Sequence, residues 1–222
     1  MTRNAFFLSM TMTLPALAPD ASTQVRQGAW TPVVESMDRG YSSISYWTYR
    51  DDGVEIGGGR ISVEHGKPGW PAELEAEESF DAATVGKLWR LGNNKWTTLD
   101  TNLALGFGER RVEPGIYYLL IQRPVPSEWR LAFVTPSSVM PHLMDAWAAQ
   151  ARPQEMPVQF SVPLSHSPVP GKKSELDITL ALDPADPTKA SLSIEWGSHR
   201  LESPFVIEMV SPTFYRESGA KN

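Results

Sequence analysis

The sequence contains no cysteine among its 222 residues. This absence excludes disulfide bonds, thiolate metal sites, a cysteine nucleophile and the acylated cysteine of a lipoprotein anchor, so no disulfide partner is expected. Basic clusters are also missing, because the longest runs of Lys and Arg are the pairs Arg110-Arg111 and Lys172-Lys173. With a formal net charge of -6, the chain lacks the electrostatic footprint that nucleic-acid-binding proteins need, and we exclude nucleic acid as a partner.

Long apolar runs are scarce as well. The first 21 residues, MTRNAFFLSMTMTLPALAPDA, combine an early basic residue with an apolar run from Ala5 to Leu17. This pattern is typical of a secretory signal peptide, and packing of the same segment on the domain is the alternative. No other stretch approaches the roughly 20 apolar residues that a membrane span requires. We therefore expect an exported protein, periplasmic or extracellular, with no integral membrane span.

The sequence instead contains many short runs that alternate between apolar and polar residues. A hydrophobic content of 41% is ordinary for a globular core. Between turn signals such as DDG and EPG, the alternation has a period of two, which is typical of strands with one buried face. Trp129 and Trp196 fall in phase with these core positions. The predicted strands cover residues 43–50, 57–66, 96–107, 115–123, 128–135, 174–182, 190–197 and 201–209.

Only one segment, SSVMPHLMDAWAAQ at 137–150, has helical spacing. One short helix among about eight strands predicts an all-β fold, an antiparallel β-sandwich of the jelly-roll or immunoglobulin-like kind. The proline-rich segment 152–173 is interpreted as a long crossing connection, with a linker as the alternative. The expected organisation is a signal peptide over 1–21, a loose segment over 22–40, a single sandwich domain over 41–210 and a tail over 211–222.

Residues 87–98, KLWRLGNNKWTT, concentrate side chains that can contact a ligand. Arg90 offers a planar fork for a carboxylate or phosphate, and Asn94 offers an amide. Trp89 or Trp96 offers a flat face for a sugar or an aromatic ring. The alternative is a well-built turn, in which the Gly-Asn-Asn sequence tolerates positive φ and the stem of Arg90 lies over a tryptophan. Both interpretations are open at this level.

A series of segments resembles the DUF2911 family of bacterial proteins of unknown function, over about residues 54–209. These segments are ISVEHGKPGW, GKLWRLGNNKWTTLDTNLAL, VEPGIYYLLIQRPVPSEWRLAFV, LDITLAL, LSIEWG and SPFVI. In that family a G-(R/K)-P turn precedes V-W-R-x-G-A-N-E-A-T, and a P-A-G-x-Y turn and an E-W-x-(V/I)-x-F strand follow. The positions that match are Gly66, Lys67, Pro68, Trp89, Arg90, Gly92, Asn94 and Thr97. The resemblance implies an exported, mostly β bacterial protein and brings no established activity.

Two departures from the family pattern bear on function. The pattern's Ala-Asn-Glu-Ala is Asn93-Asn94-Lys95-Trp96 here, so a lysine replaces a carboxylate and a tryptophan replaces a small residue. If the family uses that glutamate chemically, this chain has lost the group. The insert after Pro68 is acidic and is interpreted as a solvated loop. Its carboxylates are Glu73, Glu75, Glu77, Glu78 and Asp81.

His65 is a further candidate site residue, because it shares a strand face with Ile61 and Val63 close to the acidic insert. A metal bound by His65 with Glu73 or Glu75 is one interpretation, and a buried histidine satisfied by hydrogen bonds is the other. The remaining histidines show no H-x-H or H-E-x-x-H spacing, and the acidic run fits no calcium loop. We therefore predict no metal and no cofactor.

The leading prediction is a small-ligand or carbohydrate binding or accessory module of the bacterial envelope. Its ligand-binding residues are predicted to be Arg90, Asn94, Lys67, His65, Trp89 and Trp96. One alternative is a hydrolase that uses His65 and nearby carboxylates, with or without a metal, and another is a structural envelope protein without a small ligand. A binding module requires a concave site around Arg90 without convergent acids, whereas the hydrolase requires a carboxylate or metal within hydrogen-bond reach of His65. Whether the protein is an enzyme is left open.

Overall fold

The computed structural model describes residues 38–49, 52–53, 55–142 and 144–209. All of them belong to the unit that begins at Met37 when the chain is divided by its contacts. The predicted signal peptide, most of the predicted loose segment and the predicted C-terminal tail lie outside the described residues. The predicted domain bounds therefore stay a prediction.

Ten strands and three short α-helices make up the regular structure of the described residues, together with three single-turn 3-10 helices. The strands are β1 (Arg39–Tyr49), β2 (Glu55–Gly66), β3 (Lys87–Arg90), β4 (Thr98–Thr101), β5 (Ala104–Phe107), β6 (Arg110–Val112), β7 (Gly115–Val125), β8 (Glu128–Val134), β9 (Phe160–Asp183) and β10 (Asp186–Glu208). The α-helices are α1 (Glu77–Thr84), α2 (Pro136–Val139) and α3 (Ala146–Ala151), and the 3-10 helices are Ala72–Leu74, Met140–His142 and Pro153–Glu155. No helix in the described part is both long and apolar enough to cross a bilayer.

The strands form one antiparallel sheet in the order β1-β2-β4-β7-β8-β9-β10-β5-β6, with β3 also paired to β7. This arrangement confirms the predicted all-β, antiparallel fold. The long strand β9 serves both halves of the sheet, because Phe160 to Leu164 pair with β8 and the residues from Ser165 onward pair with β10. The sheet therefore folds over on itself, and apolar side chains from both halves share one core.

The proline-rich segment, predicted as a crossing connection, is instead largely strand, because β9 begins at Phe160. Proline in a strand is confined to edges and irregular positions of the ladder. Such an irregularity is present here: β9 runs from Pro168 to Lys173 while its partner β10 runs only from His199 back to Gly197. The extra residues of β9 are accommodated as a bulge, in which Gly171 has a positive φ of 86°.

The predicted helical segment is present in pieces. Helix α2 ends at Val139, a 3-10 turn follows, and α3 begins at Ala146, while Leu143 lies outside the described residues. Pro141 explains the break, because a proline inside a helix removes a backbone donor and clashes with the preceding turn. The acidic insert, predicted as a loop, contains the additional helix α1. Acidic residues in its first turn suit the positive end of the helix dipole.

Two apolar clusters lie on opposite faces of β7 and β8. The larger fills the space inside the folded sheet and includes Trp129, as its strand phase predicts, with Trp196 packed against it. The smaller lies on the outer face, where Leu120 and Ala132 are covered by residues of the helical segment, among them Val139. The helical segment therefore forms a third layer over the central strands.

Gly197 occupies a position in β10 that other residues cannot adopt without strain. Its φ is +60°, and a Cβ added there would lie 2.5 Å from Cε2 of Trp70. Gly171 provides a matched comparison, because its φ is +86° and nothing lies within 4 Å of an added Cβ. Both substitutions by alanine should incur the left-handed backbone cost of about 1–2 kcal/mol.

We predict that Gly197→Ala lowers the free energy of unfolding by about 1–3 kcal/mol more than Gly171→Ala does, because only the former also overpacks the Trp70 ring. Urea unfolding of the two variants measures the difference. Equal losses in the two variants would contradict the importance of the Trp70 contact.

Candidate functional site

Residues 87–98 interrupt a strand rather than join a hairpin. Strand β3 pairs with β7 as far as Arg90 opposite Leu120, and β4 resumes on the same edge with Thr98 opposite Tyr118. Between these two pairs β7 runs only from Leu120 to Tyr118, whereas the opposite segment runs from Arg90 to Thr98. The residues in between, which we call the 91–97 loop, lie outside the strands of the sheet.

The backbone of the 91–97 loop follows the turn chemistry of its sequence. Gly92 and Asn94 both have positive φ, at 84° and 62°. Thr97 is fully buried and donates its hydroxyl to the carbonyl of Leu91, at 2.6 Å. The loop packs against the end of β2, where a Cβ added to Gly66 would overlap the backbone of Asn93. Local backbone requirements therefore account for several residues of the motif.

Arg90 connects this loop to the helical segment. Its Nη1 donates to the carbonyl of Asn94 at 3.2 Å and to that of Ala146, the first residue of α3, at 3.0 Å. The guanidinium lies 5.5 Å from the ring centroid of Trp147. Burial lowers the pKa of Arg90, and the charge of Asp145 opposes this shift. Arg90 therefore braces the loop against α3 and holds it beside Trp147.

A cavity of about 680 Å³ lies beside this brace. Five of its lining residues are tryptophans, and the polar part of its lining includes Lys87, Arg90 and His199. The tryptophans are Trp70, Trp89, Trp129, Trp147 and Trp196. Within the described part of the chain, no carboxylate residue lines the cavity. The structure thus places a concave, mostly apolar and tryptophan-rich site beside Arg90, with no carboxylate among its described lining residues.

One wall of the cavity is an array of stacked rings. Trp70 packs edge-on against Trp196 with 5.1 Å between ring centroids, and Phe80 of α1 stacks on His199 at 4.1 Å. The two indoles are oriented by hydrogen bonds, because Trp70 Nε1 donates to Glu75 at 2.9 Å and Trp196 Nε1 donates to the Pro68 carbonyl at 3.0 Å. These bonds hold the ring faces in a defined arrangement.

Arg123 supports that wall from within the protein. Its side chain is buried and donates to Asp81 at 2.5 Å and to the Thr84 hydroxyl at 2.6 Å, both on α1. Its guanidinium lies 4.8 Å from the ring centroid of Trp129 and 5.3 Å from that of Phe80. A paired, buried cation therefore fixes α1 on the sheet.

Sequence reasoning missed Arg123, Phe80 and His199. A signal existed for Arg123, which is in phase with the buried Leu119 and Ile121 along β7. A charged residue on a core face of a strand indicates a buried, paired group. Phe80 and His199 carry no comparable local signal.

His199 also contacts a second histidine. His166 Nε2 and His199 Nδ1 are 3.0 Å apart, at hydrogen-bond distance. Burial lowers the pKa of both histidines, and the charge of Arg123 acts in the same direction. No group of three His, Asp or Glu residues that could hold a metal ion exists among the described residues.

His65 lies away from the cavity and is almost completely buried, at 1% exposure. Its Nε2 accepts a hydrogen bond from the amide of Ile178 at 3.2 Å, so the proton resides on Nδ1, which donates to the carbonyl of Gly66 at 3.0 Å. Both ring nitrogens are therefore engaged by backbone, and no carboxylate in the described part hydrogen-bonds to this ring. A Cβ added to Gly40 would overlap the imidazole, so the ring fills space left by a glycine.

The structure brings together Arg90, Asn94 and Trp89, which all line the cavity. It separates the other predicted site residues from them. Lys67 pairs with Asp38 at 2.7 Å, and Trp96 stacks on Tyr118 with 4.5 Å between ring centroids. These two side chains and His65 do not line the cavity.

The comparisons with known proteins identify one family. The family model described as "Protein of unknown function (DUF2911)" matches residues 52–205, which include the 91–97 loop and all the strands from β3 to β9. No curated protein and no solved structure matches the chain.

The buried imidazole of His65 predicts that acid destabilises the protein. Burial lowers the pKa of His65, and the hydrogen bond to Gly66 opposes this shift. The unfolded chain therefore binds more protons than the folded one as the pH falls from about 6.5 towards the lowered pKa, and the free energy of unfolding declines across that window. For one histidine the slope is at most about 1.4 kcal/mol per pH unit.

Urea unfolding between pH 7.5 and 5 measures this slope. We expect His65→Gln to lower the stability at neutral pH and to reduce the dependence on pH in part, because His166 and His199, whose pKa values are also lowered by burial, still titrate in this variant. His142→Gln, at an exposed histidine, is the matched control. A slope that His65→Gln leaves unchanged would contradict the assignment.

Proposed function

The chain belongs to the DUF2911 family of proteins of unknown function, and we propose that it binds a small, largely apolar or aromatic ligand in its tryptophan-lined cavity. The observation that carries this proposal is the cavity itself. Its volume of about 680 Å³ lies within the range of about 300–1,000 Å³ that is usual for small-molecule sites. Its walls are mainly apolar and rich in tryptophan, with a few polar groups, which is the composition that such sites share.

The lining favours a planar ligand that carries a hydrogen-bond acceptor. Indole faces on several walls suit a flat ring, because aromatic rings prefer offset or edge-to-face contact. Trp129 Nε1 is buried and has no hydrogen-bond partner in the described part of the chain. An unpaired buried donor costs about 1–3 kcal/mol, so an acceptor on the ligand would remove a penalty that the unliganded protein carries.

The charged residues that line the cavity favour an anionic ligand. Lys87 and Arg90 both line the cavity, and no carboxylate from the described residues does. An anionic group on the ligand could therefore pair with either cation, although the charge of Asp145 partly offsets that of Arg90. Aromatic carboxylates combine the planar ring, the acceptor and the negative charge, and they are the ligand class that we propose.

A thermal-shift and fluorescence titration of the purified full chain tests this proposal. The probes are benzoate, 1-naphthoate and indole-3-acetate, each with its neutral alcohol analogue. Binding to the folded state raises its apparent stability by mass action. We expect the carboxylates to raise Tm and to bind more tightly than the alcohols.

A substitution of Trp147 tests the ligand contact without disturbing the core, because its side chain lines the cavity and is 62% exposed. We expect Trp147→Ala to fold normally and to weaken binding by about tenfold, the loss of about 1.4 kcal/mol expected for one aromatic contact. Trp47 is the matched control, because it is 60% exposed and does not line the cavity. Arg90→Ala should weaken the carboxylates more than the alcohols.

Two results would contradict the proposal. One is the absence of a Tm shift with every probe. The other is binding that Trp147→Ala and Arg90→Ala leave as strong as in the wild-type chain. If Arg90→Ala unfolds the protein, Arg90 is required as a brace, and the Trp147→Ala comparison then decides the question.

We propose in addition that the protein acts outside the cytoplasm, as a binding or accessory module of the bacterial envelope. The support is the amino-acid pattern of residues 1–21, which lie outside the described residues. Expression of the full chain in a bacterial host, followed by fractionation and intact-mass measurement, tests it. We expect a periplasmic or secreted product that lacks the N-terminal residues, and a full-length product retained in the cytoplasm would contradict export.

A further inference from the structure

A second aromatic surface lies on the outer face of the sheet, away from the cavity. Strand β1 is at the end of the strand order of the described sheet, and its alternate residues face outward. Trp47 and Tyr49 on that face are 60% and 57% exposed. Large aromatic side chains held this openly on a strand are an uncommon arrangement for a purely structural face.

The indole of Trp47 lies close to the neighbouring strand. It pairs with Gly58 of β2, and a Cβ added to Gly58 would lie 3.2 Å from Cε3 and 3.4 Å from Cζ3 of the indole. The six-membered ring of the indole therefore lies close to the glycine, while most of the side chain stays exposed. Glycine inside a strand weakens it and often marks the close approach of a ligand or another backbone.

A fixed row of polar side chains lies beside the indole. Arg60 Nη2 donates to Asp100 at 3.1 Å, and both side chains are about half exposed. Asn102 is held from two sides, because its Oδ1 accepts from the Arg60 amide at 2.6 Å and its Nδ2 donates to the Gly58 carbonyl at 3.2 Å. These groups are positioned in advance, so binding would order few additional side chains.

Together these residues line a shallow concavity of about 450 Å³. We call it the Trp47 platform; it comprises Ser45, Trp47, Gly58, Arg60, Asp100 and Asn102. Among the described residues, none lines both the Trp47 platform and the tryptophan-lined cavity. The platform combines an apolar indole with the charged pair Arg60 and Asp100, which can donate and accept hydrogen bonds.

We propose that the Trp47 platform binds a saccharide. A pyranose ring has one face of C–H groups, which packs on an indole, and a rim of hydroxyls, each of which both donates and accepts. The carboxylate of Asp100 accepts from such hydroxyls and the guanidinium of Arg60 donates to them. The platform is open at its sides, so neighbouring sugar units of a chain can extend past it over the serine-rich part of β1.

The other ligand classes fit this surface less well. A wholly apolar ligand would desolvate the Arg60–Asp100 pair without replacing its hydrogen bonds to water. A polyanion would meet Asp100 beside the ring on a chain of net charge -6. A neutral polyhydroxylated ligand satisfies both halves of the platform.

Native affinity electrophoresis of the full chain tests the proposal. The gels contain hydroxyethylcellulose, xylan, glucomannan or glycol chitin, and isothermal titration with an oligosaccharide of the retarding polymer gives Kd. We expect retardation by at least one polymer and a loss of about tenfold in affinity for Trp47→Ala, as is usual for a central aromatic contact. Trp47→Phe should fall between the two, and Asp100→Ala should also weaken binding.

Trp147→Ala is the matched control, an equally exposed indole at the cavity, and it should bind the polymer as the wild-type chain does. The two proposals are thereby tested independently, since each tryptophan variant serves as the control for the other site. Absence of retardation in every gel, or an affinity that Trp47→Ala leaves unchanged, would overturn the saccharide assignment. Self-association abolished by Trp47→Ala, without saccharide binding, would also overturn it and would assign the surface to a second copy of the chain.

Discussion

The change of partner along β9 is the constraint on which the architecture depends. Once β9 leaves β8 at Leu164, that edge of the strand exposes backbone groups that must find other partners. Residues after β2 supply them in part, since the amide of Trp70 donates to the Ser174 carbonyl at 2.7 Å. Side chains supply two more: the amide of Ile178 donates to His65 Nε2, and the amide of Leu180 donates to the Ser42 hydroxyl at 2.9 Å. His65 is thus a buried acceptor that helps to close the fold.

The cavity is a consequence of how the remaining segments cover this folded sheet. The 91–97 loop, α1 and α3 are each fixed by polar contacts at their own positions, through Arg90 at one side and Arg123 at the other. They surround a volume without filling it, and no group among the described residues accepts a hydrogen bond from the indole N–H of Trp129. Protein interiors normally close-pack and satisfy such donors. Departures from both rules at one place are typical of functional sites, where stability is given up for binding.

The tryptophans therefore lie in two different environments. Inside, Trp70, Trp129 and Trp196 belong to an enclosed wall in which polar atoms are few and each indole orientation is set by its neighbours. Outside, Trp47 lies on an open sheet face beside a charged pair. The first environment suits a ligand that loses its water, and the second suits one that keeps most of its hydrogen bonds. Taken together, the two proposals describe a protein that holds a small molecule at one surface and a polymer at the other.

The amino-acid sequence by itself determined the local features. Period-two alternation located most of the strand segments and the core position of Trp129, and the Gly-Asn-Asn sequence indicated a turn that tolerates positive φ, as found at Gly92 and Asn94, because these properties depend on neighbours in the chain. The alternation missed the short strands β3 and β6, joined β4 and β5 into one strand over 96–107, and divided β10 into two. Only the tertiary structure decided which residues share a site. His65 meets a partner 113 residues away, and Arg90 braces a helix 56 residues away. Such pairings follow from strand order and from the bulges that let β9 continue through its prolines, and local periodicity contains no information about either.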